Sequence, residues 1–243
     1  MRYKCTVAYD GYNYVGFQSQ INGTAIQDVI ETAIAKITSQ DLRIIMSSRT
    51  DSGVHAYGQV FHFDVEREYD LKKLKYSLNS LLPEDIHVTK IEIVSEEFHA
   101  RFSVKAKKYE YLINYGEKNV FLNHRAYQCH YKLDVDKMVE ASKLFLGKHE
   151  FGSFNTTPYD LYPNQVREIY SFEIFENQGI LHLQIVGDGF LRNMVRMIVG
   201  TLVEVGRGKK NFDDVKHMLE YPEKNQRRYN IDPNGLYLIE IYY

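Results

Sequence analysis

The strongest constraint on this chain is a periodicity that occurs twice: strand, helix, strand, strand, helix, strand. In the first pass, residues 2–9 alternate as a strand. Residues 24–38 place Ala25, Ile26, Val29, Ile30, Ala33, Ile34 and Ile37 on one helical stripe, with Thr24 set to cap it. Residues 42–46 read as a short strand, Ser47 to His55 as a polar turn, and residues 57–65 as a strand with Val60 set against Phe61 and Phe63. Leu71, Leu74, Leu78 and Leu81 are spaced for a helix that Pro83 ends, and residues 86–94 alternate cleanly. The second pass begins with alternating aromatics over residues 107–115. It continues with a helix over 134–146 (Val135, Met138, Val139, Ser142, Phe145) ended by Gly147. A hairpin follows, 166–176 and 180–186 across residues 177–179, then an apolar helix over 190–205, a short amphipathic helix near 211–221 and a last strand over 236–242.

This order predicts an α+β fold. Two ferredoxin-like β-α-β-β-α-β units form a mixed, mainly antiparallel central sheet flanked by helices. The expected subdomains are residues 1–100 and 101–243, with the cleft between them as the natural position for a site. No low-complexity linker separates them, so the halves are expected to pack. Apolar residues (44%) and charged residues (26%) sit at globular values, which excludes a disordered or fibrous chain. The net charge of −2 excludes a general polyanion binder, so any positive surface must be local. It is local by sequence. Between residues 99 and 125, Arg101, Lys105, Lys107, Lys108, Lys118 and Arg125 oppose only Glu110 and Glu117. Around 190–210, Arg192, Arg196, Arg207, Lys209 and Lys210 oppose Asp188 and Glu204. A polarised surface is expected. No apolar run approaches the roughly 18–20 residues of a membrane span, and the start of the sequence, read as a strand, leads to the expectation of no secretory signal. Cys5 and Cys129 form no CxxC, which excludes a zinc ribbon or a disulfide framework and points to a cytoplasmic protein.

Three constellations can carry chemistry. The first is the loop Ser47-Ser48-Arg49-Thr50-Asp51-Ser52-Gly53-Val54-His55 between two strands, where small polar residues position a carboxylate. Arg49 supplies a cation that favours the charged form a nucleophile or base needs. The competing reading makes Asp51 an ordinary turn residue, with Gly53 at positive φ. The second is the strand Lys107-Lys108-Tyr109-Glu110-Tyr111. Alternation puts Lys107, Tyr109 and Tyr111 on one face, a basic and aromatic surface of the kind that grips RNA. Its competing reading is an edge strand guarded by lysines. The third is Gly189-Phe190-Leu191-Arg192-Asn193-Met194-Val195-Arg196. Arg192 and Arg196 stand at i, i+4 on one helix face, and Arg196 in apolar company calls for an aspartate or phosphate partner. Its competing reading is an arginine reaching along its stem to water. No dinucleotide fingerprint, P-loop, metal-ligand spacing or cysteine nucleophile signature is present, which favours cofactor-free and metal-free chemistry.

The stretch RTDSGVHAYGQVFHFD (Arg49 to Asp64) closely resembles the catalytic loop of the tRNA pseudouridine synthase A family. The resemblance runs nearly the whole chain. It includes Tyr9-Asp10-Gly11, Gly16-Phe17-Gln18-Ser19-Gln20, Ile26-Gln27, Leu78 to Ile86, Phe98-His99-Ala100-Arg101, Lys107 to Tyr111, Gly189 to Arg196 and Gly235-Leu236-Tyr237-Leu238. Each motif alone is modest; the ordered set is specific.

The resemblance implies isomerisation of uridine to pseudouridine in the anticodon stem-loop of tRNA, at positions 38 to 40, by a homodimer that needs no cofactor. It makes Asp51 the nucleophile, Arg196 its paired arginine, Arg49 the arginine that evicts the base and holds RNA, and Tyr109 the ring that packs on the target base. Lys107 and Arg192 stand beside these as substrate-binding candidates. The chain departs from the family pattern at Ser52, where alanine is commoner, at Asn123, where arginine is common, and over Asn230 to Gly235, where Ala and Pro usually precede Gly-Leu. These departures bear on the target position more than on the chemistry. The alternatives are a paralogue that modifies another RNA position and a non-catalytic RNA-binding module. A glycosidase-like hydrolase would need a second carboxylate that the sequence does not offer.

Overall fold

The computed structural model describes residues 1–222 and 229–243. Along the chain run β1 (Arg2–Tyr9), α1 (Ile26–Thr38), β2 (Ile45–Met46), β3 (His55–Asp64), α2 (Leu71–Leu81), β4 (Ile86–Val94), β5 (Ala106–Asn114), β6 (Tyr127–Gln128) and α3 (Val135–Ser142). There follow β7 (Gly147–Glu150), β8 (Val166–Asn177), β9 (Ile180–Gly187), α4 (Met194–Gly206), α5 (Phe212–Glu220) and β10 (Leu236–Tyr242). The chain divides into two compact units, Met1–Lys105 with Tyr237–Tyr243, and Ala106–Leu236. None of the described helices is long and apolar enough to cross a membrane.

In the first unit β1 lies between β4 and β3 and pairs antiparallel with both, from Arg2↔Asp64 and Arg2↔Val94 onward. Its alternation buries Tyr3, Cys5, Val7 and Tyr9. The outer edge of β3 is shared. β2 pairs with it at Ile45↔His62 and Met46↔Phe61, and β10 joins it in parallel at Tyr237↔His55 and Leu238↔Ala56. The helices α1 and α2 pack on one another, and α2 also packs on β4, burying Leu74 and Leu78. Asp70 caps α2 by accepting from the Lys73 N–H at 2.9 Å.

In the second unit β5 pairs antiparallel with β9, β9 with β8 and β8 with β7, while β6 lies parallel to the end of β5. Residues 107–111 pair along their whole length with β9, from Lys107 opposite Gly187 to Tyr111 opposite Leu183. The helix α4 packs on α3 and β5. The α+β class and the mainly antiparallel pairing therefore stand as the periodicities predict.

Three local expectations are corrected. Thr24 does not cap α1; Ala25 holds that position without a side-chain bond. The first N–H groups of α1, on Ile26 and Gln27, donate instead to the Gly16 and Phe17 carbonyls at 3.2 and 2.9 Å, so no side-chain acceptor is needed there. The strand expected over 42–46 shortens to Ile45–Met46. The helix expected from residue 190 begins at Met194, because Asn193 adopts a left-handed conformation (φ 63°) that no helix continues through. Arg192 therefore lies outside the helix, exposed, and does not share a face with Arg196.

A buried histidine in β3 gives the first unit a pH dependence. His62 is 1% exposed, and its Nδ1 accepts from the Ala100 N–H at 3.1 Å. Burial, reinforced by the Arg2 and His99 charges and partly opposed by Asp64, pushes its pKa down from 6.5 to about 4. The unfolded chain takes up the proton near 6.5 while the native chain resists it. Stability contributed by neutral His62 is therefore complete above about pH 6.5 and is lost as pH falls toward about 4. Replacing His62 by Asn keeps an acceptor for Ala100 and removes the titration. Denaturant unfolding at pH 7, 5.5 and 4.5 should show a shallower loss for His62→Asn than for the wild type. Parallel losses would contradict the assignment.

Candidate active site

The Asp51 loop is held by bonds from β3, from the end of β1 and from the segment after β1. Gln59, fully buried in β3, clamps its base. Its Nε2 donates to the Ser48 carbonyl at 2.7 Å, and its Oε1 accepts from the Ser48 and Val60 N–H groups. Thr50, buried directly before Asp51, pairs its hydroxyl with the Tyr9 hydroxyl at 2.8 Å, and its carbonyl accepts from the Phe17 N–H. The Val54 N–H donates to the Asp51 carbonyl at 3.2 Å and closes a turn, with Gly53 at φ 77°. The Ser52 hydroxyl donates to the Tyr14 carbonyl at 3.1 Å. After the loop, His55 Nδ1 accepts from the Gly11 N–H at 3.1 Å and lies 3.0 Å from an Asp10 oxygen. Asp51 itself is half-buried, and Arg49 is exposed. Such fixing lowers the cost of holding a reactive carboxylate in one geometry.

The second unit carries the other candidates. Tyr109 sits in β5 opposite Ile185, 6% exposed, with its ring edge-on to Phe190 at 5.2 Å and 80°. Lys107, two residues before it and opposite Gly187, is half-buried. Tyr111 follows, fully buried, and its hydroxyl donates to the Asp232 carbonyl at 2.5 Å. Burial, aided by the Asp232 charge and opposed by Arg196, pushes the Tyr111 phenol well up, so it remains a donor at neutral pH.

Arg196 lies half-buried in the first turn of α4. Its Nε donates to the Ile231 carbonyl at 2.8 Å and one Nη to Asn193 Oδ1 at 2.8 Å. These two bonds fix the plane of the guanidinium and exclude an arginine that merely reaches to water. Asn193 is anchored in turn, donating from Nδ2 to the Thr156 hydroxyl at 2.8 Å. The segment carrying the Ile231 carbonyl lies tight against α4. A Cβ on Gly200 would come within 1.7 Å of the Tyr229 carbonyl oxygen, so only glycine admits that approach. One short stretch thus holds both side chains, the Ile231 carbonyl accepting from Arg196 and the Asp232 carbonyl from Tyr111.

Known proteins match the chain as a whole. A family model described as tRNA pseudouridine synthase matches residues 6–103 and 141–243. The chain is 46% identical to tRNA pseudouridine synthase A of Bacillus pumilus over 251 residues, covering 100% of this chain and 99% of that one. It is 43% identical to the protein of the same name from Bacillus subtilis over 247 residues, with the same coverage, and 40% identical to that of Acetivibrio thermocellus over 99% of this chain and 98% of the relative. The chain belongs to the tRNA pseudouridine synthase A family. It is accordingly an isomerase. Among the described residues, no group of three or more His, Cys, Asp or Glu gathers to hold a metal ion.

Several residues that support the candidate side chains carry little signal in the sequence. Gln59 signals itself only as a lone amide beside apolar Val60 and Phe61. Asn193 and the Ile231 carbonyl give no periodic signal at all. Gly200, inside an otherwise apolar helix, is the one visible hint of a close approach.

Proposed function

We propose that this chain isomerises uridine to pseudouridine in tRNA, at positions 38 to 40 of the anticodon stem-loop, as a cytoplasmic homodimer. The reaction breaks the bond from the anomeric carbon to ring nitrogen 1, turns the base and rejoins it through carbon 5; carbon 5 loses its proton and nitrogen 1 gains one. Asp51 is the nucleophile, pairing with Arg196, and Arg49 helps evict the base and hold the RNA. Tyr109 packs on the target ring, while Lys107 and Arg192 meet the backbone phosphates. In this reading residues 1–100 supply the aspartate loop, and residues 101–243 supply the tyrosine and the helix arginine. The target uridine must leave its stack, at a cost of a few kcal/mol that stacking and phosphate contacts offset.

The observation that carries the reading is the clamped loop: a half-buried carboxylate on a turn fixed through Gln59, Thr50 and Ser52, in a chain that its named relatives match over its full length. Pseudouridine mapping across total tRNA and ribosomal RNA, with and without the gene, tests it. Loss confined to tRNA positions 38 to 40 is expected. Loss at another RNA position would make the chain a paralogue with a different target, and an unchanged map would favour a non-catalytic RNA-binding module.

In this reading the Tyr109 hydroxyl accepts or relays the carbon-5 proton. Tyr109→Phe is expected to bind tRNA within about twofold of wild type and to lower kcat by about 10²-fold. An unchanged kcat would reduce Tyr109 to a stacking surface.

A further inference from the structure

Outside the groups assigned to chemistry, the first unit holds out the ring of one phenylalanine. Phe102 is 76% exposed, yet the turn that carries it is fixed from several sides. His99 Nδ1 accepts from the N–H groups of both Arg101 and Phe102 at 3.2 Å. The His99 N–H donates to the Ser103 hydroxyl at 3.0 Å, and the Ser103 N–H donates back to the His99 carbonyl at 2.9 Å. Ala100, between them, donates to His62 and accepts from the Tyr243 hydroxyl at 2.8 Å. The exposure of Phe102 is therefore built into the fold.

The surroundings of that ring are chemically specific. Phe102 stacks on the His99 imidazole, centroids 4.3 Å apart and 26° between planes, and His99 meets His62 edge-on at 5.1 Å. The exposed Arg101 guanidinium lies 5.7 Å from the Phe102 centroid, and exposed Lys105 follows in sequence. A ring backed by another ring and flanked by cations suits a partner with a π face and a negative charge side by side. That is a nucleotide; an apolar protein surface would be poorly served by the two cations.

We propose that Arg101 and Phe102 form a seat for an unpaired nucleotide of the RNA substrate, separate from the target uridine: its base stacks on Phe102 and its phosphate meets Arg101. The seat rests on the reading that the substrate is RNA. It adds affinity without touching the reacting atoms, so its loss is felt in KM and not in kcat.

The chain has no tryptophan, so Phe102→Trp supplies a sole tryptophan at the seat, which red-edge excitation selects over the 20 tyrosines. Titrating full-length Phe102→Trp with an unmodified tRNA transcript, in an Asp51→Asn background that prevents turnover, should quench its emission. Phe102→Ala should raise KM and Kd about tenfold at unchanged kcat, Phe102→Leu should do the same, and Phe102→Tyr should restore wild-type values. Arg101→Gln should reduce the slope of log Kd against log salt by about one. An unquenched tryptophan, a leucine variant as good as wild type, or a Phe102→Ala protein with unchanged Kd and altered sedimentation would each overturn the seat, the last by making the ring a contact between copies. Wild-type turnover of the same transcript, measured alongside, separates the two readings: an inactive wild type refutes tRNA as the substrate, whereas an active wild type with indifferent variants refutes only the seat.

Discussion

Asp51→Asn should abolish pseudouridine formation, by about 10⁴-fold or more, while tRNA binding stays within about threefold of wild type. Asparagine matches the size of aspartate and keeps the turn that the Val54 N–H closes on the residue 51 carbonyl. The clamps on Ser48, Thr50 and Ser52 do not involve the carboxylate. What the substitution removes is the negative charge, which nucleophilic attack requires. Because the side chain is half-buried and no core is opened, the melting temperature should move by only a few degrees. A variant that retains a tenth of wild-type turnover would assign the chemistry to another group.

Arg196→Lys should lower kcat by about 10²- to 10³-fold with a smaller change in KM. Lysine keeps the charge. It cannot donate along two fixed directions at once, and the wild-type guanidinium does so to the Ile231 carbonyl and to Asn193 Oδ1. In the proposed mechanism the pairing of Arg196 with Asp51 depends on that fixed plane. A mobile ammonium leaves the aspartate charged but unaligned. Some stability should also be lost, of order 1–3 kcal/mol, because two partly buried acceptors lose their donor. Kinetics on the folded variant, checked by its unfolding midpoint, decide the matter. A lysine variant with wild-type kcat would mean that only the charge counts, and that the bonds to Ile231 and Asn193 serve the fold alone.

The fold was legible wherever burial is one-sided. The alternation in β1 and β4 and the leucine spacing in α2 report a sheet or helix with one face on the core, and these elements stand where the periodicity puts them. The same reasoning placed Lys107, Tyr109 and Tyr111 on one face of β5. It failed where backbone conformation or distant partners decide. Nothing in an apolar run shows that Asn193 turns left-handed, so the periodicity predicts too early a start for α4 and puts Arg192 on it. Thr24 looks like a cap until the Gly16 and Phe17 carbonyls arrive from an adjacent loop. β6 and β7 are short and owe their existence to pairing with β5 and β8, which no local pattern records.

The site divides in the same way. Asp51 and Arg49 were visible because a reactive loop concentrates small polar residues, and the need to hold Arg196 was visible because a cation among valines and methionines must be satisfied. Its holders were not visible. The expected partner was an anion, and the acceptors that orient it within its own unit are a carbonyl 35 residues away and an amide one turn back. A backbone carbonyl has no sequence signature.

The most direct test supplies the purified protein with an unmodified tRNA transcript labelled with tritium at carbon 5 of its uridines. The account predicts release of tritium to solvent in step with pseudouridine appearing at positions 38 to 40, with no free uracil and no abasic sites, and no release with Asp51→Asn. An unlabelled solvent over intact uridine, or uracil accompanied by abasic tRNA, would contradict it.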